Sequence, residues 1–143
     1  MPELKDLFET EVLGLTIYGE ARGEPVEGQI AVGSVIRNRV TERKSNYKIV
    51  CWEPLQFSCW NEDNPNRDVL VNLAQLMLDH MPLKDEVIRQ CMWLSFGLTN
   101  GSILDNTGEA QNYLTTKLYD EGVILWAKNM TVSKVIGNQT FLI

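Results

Sequence analysis

Two glutamates, Glu20 and Glu24, sit in a short break between two apolar helical patterns, in the stretch I-Y-G-E-A-R-G-E-P-V-E-G-Q-I-A-V-G-S-V-I-R-N-R-V from Ile17 to Val40. A carboxyl group that keeps its proton near neutral pH can act as a general acid, and the setting of Glu20 favours that state. Leu4, Leu7, Phe8, Val12 and Leu15 share one helical face before it. Val12, Leu13, Leu15, Ile17 and Tyr18 then leave almost no polar side, the mark of a segment entering a core. Glu20 thus arrives at the C-terminal end of a helix that is burying itself. Burial and the negative end of the helix dipole both disfavour its charged form. Gly19 and Gly23 leave room for backbone or a ligand to approach closely, and Pro25 suits the first turn of the next helix. Glu24 is either a second carboxylate for the chemistry or a capping and positioning group. The same spacing also fits an ordinary helix–turn–helix corner with both glutamates solvated.

The remaining residue types exclude several other chemistries. The single histidine, His80, lies in D-H-M-P at the polar end of a helical pattern and reads as a surface residue. There is no H-E-x-x-H or C-x-x-C, so no metal is expected. There is no G-x-x-x-x-G-K-[ST] or G-x-G-x-x-G, so no nucleotide cofactor is expected. Cys51, Cys59 and Cys91 are an odd set and read as reduced thiols, with a Cys51–Cys59 bridge as the alternative in an oxidising space. A net charge of −6 argues against nucleic acid, whose phosphates need a basic patch. No apolar run approaches the roughly eighteen residues of a membrane span. The N-terminus lacks a basic-then-apolar leader, so the expectation is a protein made in the cytoplasm without a signal peptide.

These residues need elements to position them. With 143 residues, 44% hydrophobic and 22% charged, the chain reads as one domain, 1–143, able to bury roughly two-thirds of its unfolded surface. The pattern predicts a first helix from Glu3 to about Glu20 and a second from near Pro25 to about Thr41, with Ala31, Val32, Val35 and Ile36 inward. Gly28 and Gly33 lie inside the second helix, where a glycine costs about 1 kcal/mol against alanine, so close packing on the first helix is expected. Arg37 and Arg39 read as a charged helix end; Asn38 is either part of it or a brace for the corner. From Glu42 to Arg67 the pattern dissolves into a long polar connection carrying Trp52, Phe57 and Trp60, and loops of that length are usually functional. A third helix is predicted over Asp68–Met81, with Val69, Leu73, Leu76 and Met77 inward and Pro82 stopping it. A fourth is predicted over Lys84–Leu98, with Val87, Cys91, Leu94, Ser95 and Leu98 on one face and Trp93 and Phe96 in the core. Asp105–Thr116 reads as polar loop. The last segment alternates partially, predicting a hairpin or edge strand with a turn at Gly137-Asn138.

The wording of the Ile17–Val40 stretch resembles the opening motif of the SleB/CwlJ-type cell-wall hydrolases, known from spore-cortex-lytic enzymes and from phage. Gln56-Phe57-Ser58 with Trp60 resembles the family's Q-F-S-x-W. Asp105, Thr107, Gly108, Ala110 and Tyr113 resemble its D-x-T-x-G-A-x-x-Y in a compressed form, and Ile136-Gly137 with Phe141 resembles its closing I-G-x-H-x-F. Where relatives carry histidines, this chain has Gln111-Asn112 and Asn138-Gln139. The resemblance implies a mainly α (α+β), lysozyme-like domain with a cleft that binds peptidoglycan glycan strands. It implies Glu20 as the catalytic residue, and Glu24, Gln56, Ser58 and Tyr113 at the substrate, with Phe57 as a core plug. The implied activity is a lytic transglycosylase that cuts the β-1,4 bond between N-acetylmuramic acid and N-acetylglucosamine. One glutamate suffices if the sugar's own C6 hydroxyl attacks, whereas hydrolysis generally needs a second carboxylate. The alternatives are a two-carboxylate muramidase and a non-catalytic wall-binding protein. By analogy with phage lysins, the protein is expected to act on the wall as a monomer after release by a holin-like partner, or from a virion.

Overall fold

The computed structural model describes residues 2–143. Its centre is α1 (Glu9–Ala21), in which every residue from Val12 to Tyr18 is buried. Four helices pack around it: α2 (Val26–Arg43), α3 (Tyr47–Cys51), α4 (Pro65–Leu78) and α5 (Glu86–Thr99). Such a helix has no polar face to give to water, which is why its hydrophobic pattern closes on all sides. Its buried hydroxyls are satisfied: Thr16 Oγ1 donates to the Val12 carbonyl at 2.8 Å and accepts from Trp60 Nε1 at 2.9 Å, and the Tyr18 hydroxyl donates to Asp85 Oδ2 at 2.8 Å.

The first helix begins later than its apolar spacing predicts. Leu4–Asp6 forms a separate 3-10 turn, and α1 restarts at Glu9 with Phe8 as its N-cap. Two local carboxylates cause the break: Asp6 accepts from the Glu3 N–H and Glu11 from the Phe8 N–H, each satisfying a donor at a helix start. Phe8 is consequently exposed rather than on the buried face. In α2, Gly33 faces Ile17 and Leu98 so closely that a Cβ would collide with both, so this glycine lets α2 settle onto α1 and α5. Gly28 serves no such close contact; the nearest atoms to a Cβ there would be those of Glu24 and Pro25, in its own turn.

The stretch expected as one long polar connection is largely structured. Asn46 caps α3 by accepting from the Ile49 N–H, and Asn64 caps α4 by accepting from the Asn66 N–H. Between them Ser58–Trp60 forms a second 3-10 turn. Polar caps inside a polar stretch look like loop, which hides the helices they start. The inward face of α4 is Leu70, Ala74 and Met77, not the expected Val69 and Leu76, which are exposed. On α5 the inward face includes Cys91, Leu94, Ser95 and Leu98 as expected. Trp93 and Phe96 are corrections: at 76% and 52% exposed they lie on the outer side, one turn apart, opposite that face.

After α5 the chain makes a small antiparallel sheet, order β1-β3-β2, from β1 (Asn112–Thr115), β2 (Val132–Ile136) and β3 (Gln139–Leu142). The expected hairpin turn at Gly137-Asn138 joins β2 to β3, with Gly137 at a φ of 57° that favours glycine. The expected loop over Asp105–Thr116 contains β1, which pairs Tyr113 with Phe141. Two short helices, α6 (Thr116–Glu121) and α7 (Leu125–Lys128), bridge β1 to β2. Cys51, Cys59 and Cys91 are buried free thiols, and His80 is exposed. No helix among the described residues is long and apolar enough to cross a membrane.

Candidate active site

Glu20 is the penultimate residue of α1. Its carboxyl emerges from the core into a groove of about 410 Å3. Tyr113, delivered by β1, donates its hydroxyl to Glu20 Oε1 at 2.6 Å. The Cys59 N–H, at the 3-10 turn, approaches Oε2 at 3.4 Å. That second contact depends on Gly19, where a Cβ would stand 2.7 Å from both Cβ and Sγ of Cys59. Gly23, by contrast, has nothing within 4 Å of where a Cβ would stand and makes no close approach. Burial, and then the charge of Glu20, pushes the Tyr113 phenol well above its ordinary range, so it remains a donor. The same two causes push the Cys59 thiol up, and burial pushes Cys51 up to about 12, so neither is a nucleophile near neutrality.

Arg39 is the residue that the sequence reading missed. It is buried mid-helix rather than at a charged helix end, and its guanidinium lies 5.2 Å from the centre of the Phe57 ring. Its Nε donates to the Gln111 carbonyl at 2.7 Å and its Nη1 to Gln56 Oε1 at 3.3 Å. Burial, then the neighbouring Arg43 charge, lowers its pKa. One arginine therefore ties the 55–57 segment to the strand that carries Tyr113, and fixes both walls of the groove. The signal was present, since Arg39 continues the Val32–Ile36 stripe at helical spacing. Arg37 is likewise no free helix-end charge: it donates to the carbonyls of Leu98 and Ile103 at 2.9 and 2.8 Å.

Asn38 braces a loop rather than the glutamate corner, donating to Asp105 Oδ2 at 3.2 Å and the Ala110 carbonyl at 2.8 Å. Asp105 also accepts from the Thr107 N–H and hydroxyl at 2.7 and 2.6 Å and from the Glu109 N–H at 2.8 Å. Burial works against its charge, but these hydrogen bonds outweigh burial and hold its carboxyl below the usual range. The Asp105–Ala110 segment is thus a rigid turn that leads into β1 and sets the height of Tyr113.

Of the residues singled out from sequence, the structure brings Glu20, Gln56 and Tyr113 to one groove. Glu24 is elsewhere: its two oxygens accept from the N–H and the side-chain amide of Asn138 at 3.2 and 3.3 Å, bolting the α1–α2 corner to the β2–β3 turn. Ser58 is exposed and does not line the groove; Phe57 is buried beneath it. Asn112 and Trp126 join the lining unannounced by sequence. Trp126 is 50% exposed on α7, in an apolar run too short to bury itself. Among the described residues no three His, Cys, Asp or Glu side chains converge as metal ligands would.

A family model described as Cell Wall Hydrolase matches residues 23–142. The spore cortex-lytic enzyme of Bacillus subtilis (strain 168) is 45% identical over 49 residues, which are 33% of this chain and 16% of that protein. The spore cortex-lytic enzyme of Oceanobacillus iheyensis is 39% identical over 62 residues, 38% of this chain and 22% of that protein. The matches therefore span under a quarter of these relatives' length. Two solved structures are similar over most of the chain, each at 27% identity and covering 94% of it. One is the catalytic domain of the germination-specific lytic transglycosylase SleB from Bacillus anthracis, with a TM-score of 0.68 and 93% of that chain covered. The other is the catalytic domain of the Bacillus cereus SleB protein, with a TM-score of 0.69 and 89% covered.

Proposed function

The chain belongs to the Cell Wall Hydrolase family, and on that premise we propose that it is a lytic transglycosylase cutting the MurNAc–GlcNAc β-1,4 bond of peptidoglycan with Glu20 as its one acid and base. The observation that carries this reading is that Glu20 is, among the described residues, the single carboxyl group lining the groove, while Glu24 is held by Asn138 outside it. A hydrolase would need a second carboxylate to activate water or to form a covalent intermediate.

With one carboxyl, the sugar supplies the nucleophile. Protonated Glu20 donates to the glycosidic oxygen as the bond from C1 breaks, and the electron pair leaves on that oxygen. The C6 hydroxyl of the muramic acid bonds to C1 and gives its proton to the Glu20 carboxylate. A 1,6-anhydro ring closes, no water is consumed, and Glu20 regains its starting state. Tyr113 fixes Oε1, which leaves Oε2, with only the longer Cys59 contact, to carry the proton. Trp126 offers a ring face to a sugar, and Gln56 and Asn112 offer amides to its hydroxyl and acetamido groups. The same reading has the protein act on the wall as a monomer after release, in phage or bacterial lysis, with a holin-like partner.

The test is digestion of purified peptidoglycan by the protein and by Glu20→Gln, followed by mass analysis of the muropeptides. Products one water lighter than reducing muropeptides, absent with the variant, are expected. Reducing-end products would overturn the transglycosylase reading in favour of a two-carboxylate muramidase. A folded protein that binds walls but releases nothing would overturn catalysis.

A further inference from the structure

A second hollow, of about 580 Å3, lies across Leu55 from the Glu20 groove; Leu55 and Phe57 line both. Leu55 is 84% exposed and adopts a left-handed φ of 65°, which an unbranched-at-Cβ side chain still adopts only at a cost. It stands as a ridge between the two hollows. The indoles of Trp52 and Trp60 line the second one, meeting edge to face at 5.8 Å. Trp60 is pinned there by its hydrogen bond to Thr16. Glu62 and Asp63 also line it, exposed and without an ion-pair partner among the described residues. Arg67 completes the lining; its Nε donates to the Trp60 carbonyl at 3.1 Å, which leaves its terminal N–H groups for another acceptor. Glu53, by contrast, is already paired with Arg43 at 2.6 Å. The mechanism at Glu20 uses none of these groups.

We propose that this hollow binds the peptide stem of the wall polymer through a diamino-acid side chain. The aliphatic part would lie on Trp52 and Trp60, the ammonium against Glu62 and Asp63, and the carboxylate against Arg67. The inference rests on reading the Glu20 groove as a peptidoglycan glycosidase site. A neutral sugar would use the aromatic faces but would find no use for both signs of charge; a zwitterion on an apolar chain uses all three features. The stem hangs from the muramic acid, so a peptide held across Leu55 would bring its own sugar to Glu20. Attraction to the stem amine also gives a chain of net charge −6 a hold on a largely anionic wall.

Two measurements decide it. The first titrates the full chain with a free tripeptide stem ending in a diamino acid, and with the same peptide N-acetylated on its side-chain amine, watching the indole N–H signals by NMR. The free amine form is expected to move the Trp52 and Trp60 signals and to bind about tenfold tighter than the acetylated form, as one charged hydrogen bond predicts. The second compares rates on intact glycan and on glycan stripped of peptides by an amidase. The intact-to-stripped ratio is expected to exceed about five for the native chain and to fall to about one for Glu62→Lys/Asp63→Lys. Equal binding of the two peptides, or no binding, overturns the proposal, as does a ratio of one in the native chain. If no glycan is cut, the glycosidase reading fails, and the titration still decides whether the hollow takes the peptide.

Discussion

Glu20 and Glu24 stand one helical turn apart in sequence, yet the fold treats them in opposite ways. Glu20 meets a strand and a turn that leave it facing a groove, with Tyr113 on one oxygen and the Cys59 N–H on the other. Glu24 meets the tip of the hairpin, where Asn138 takes both its oxygens. The first carboxyl is positioned with space in front of it; the second is used as a bolt. What separates a carboxyl that faces the groove from one used as a structural tie is therefore not residue type or helix position. It is which distant segment, 93 or 114 residues along, packs against it.

The sharpest way to break that contrast is to neutralise each glutamate. Glu20→Gln is expected to lower the rate of muropeptide release by about 10³-fold, the size of a lost general acid, with an unchanged melting temperature. Glu24→Gln is expected to do the reverse, keeping activity within about threefold while costing about 1 kcal/mol of stability in denaturant melts, the size of an exposed hydrogen-bonded pair. Equal losses of activity in both would erase the distinction. Tyr113→Phe tests what holds Glu20: a drop of about 10- to 100-fold in kcat with a smaller change in KM fits loss of one charged hydrogen bond. Gly19→Ala tests the other side of the carboxyl by pushing Cys59 away. It is expected to cost about 1–3 kcal/mol from overpacking and to reduce activity together with stability.

The smallest effect concerns Asp105, which sets the loop before Tyr113. Its folded pKa lies below the unfolded value of about 3.9. Its contribution is thus fully present above pH 4 and is lost as the pH falls through the folded value. Acid melts of Asp105→Asn should start lower at neutral pH and lose stability less steeply below pH 4 than the native chain.

Much of the Glu20 neighbourhood was legible in the residues. The apolar closure of Val12–Tyr18 announced a buried helix, Gly19 announced a close approach, and the Gly137-Asn138 turn announced a hairpin. Failures occurred where local pattern and tertiary use diverge. Trp93 and Phe96 are large and apolar, but their angular position on α5 places them opposite the face taken by Cys91 and Ser95. β1 is four residues within a polar stretch, and its strand character comes from pairing with β3, which no local window contains. Arg39 looked like a dipole-favoured helix end because the helix was ended two residues too early.

By itself, then, the sequence determined the elements whose signal is local: a helix apolar on every side, a glutamate at its end, a glycine-bearing partner helix and a terminal hairpin. It determined these because helical periodicity and turn chemistry act over a few residues. Only the tertiary structure decided that Tyr113 rather than Glu24 shares the groove with Glu20, that Arg39 joins its walls, and that Leu55 divides it from a second hollow. Those outcomes depend on contacts between segments far apart in the chain. Such contacts are fixed by which buried faces fit one another, and no short stretch of residues carries that information.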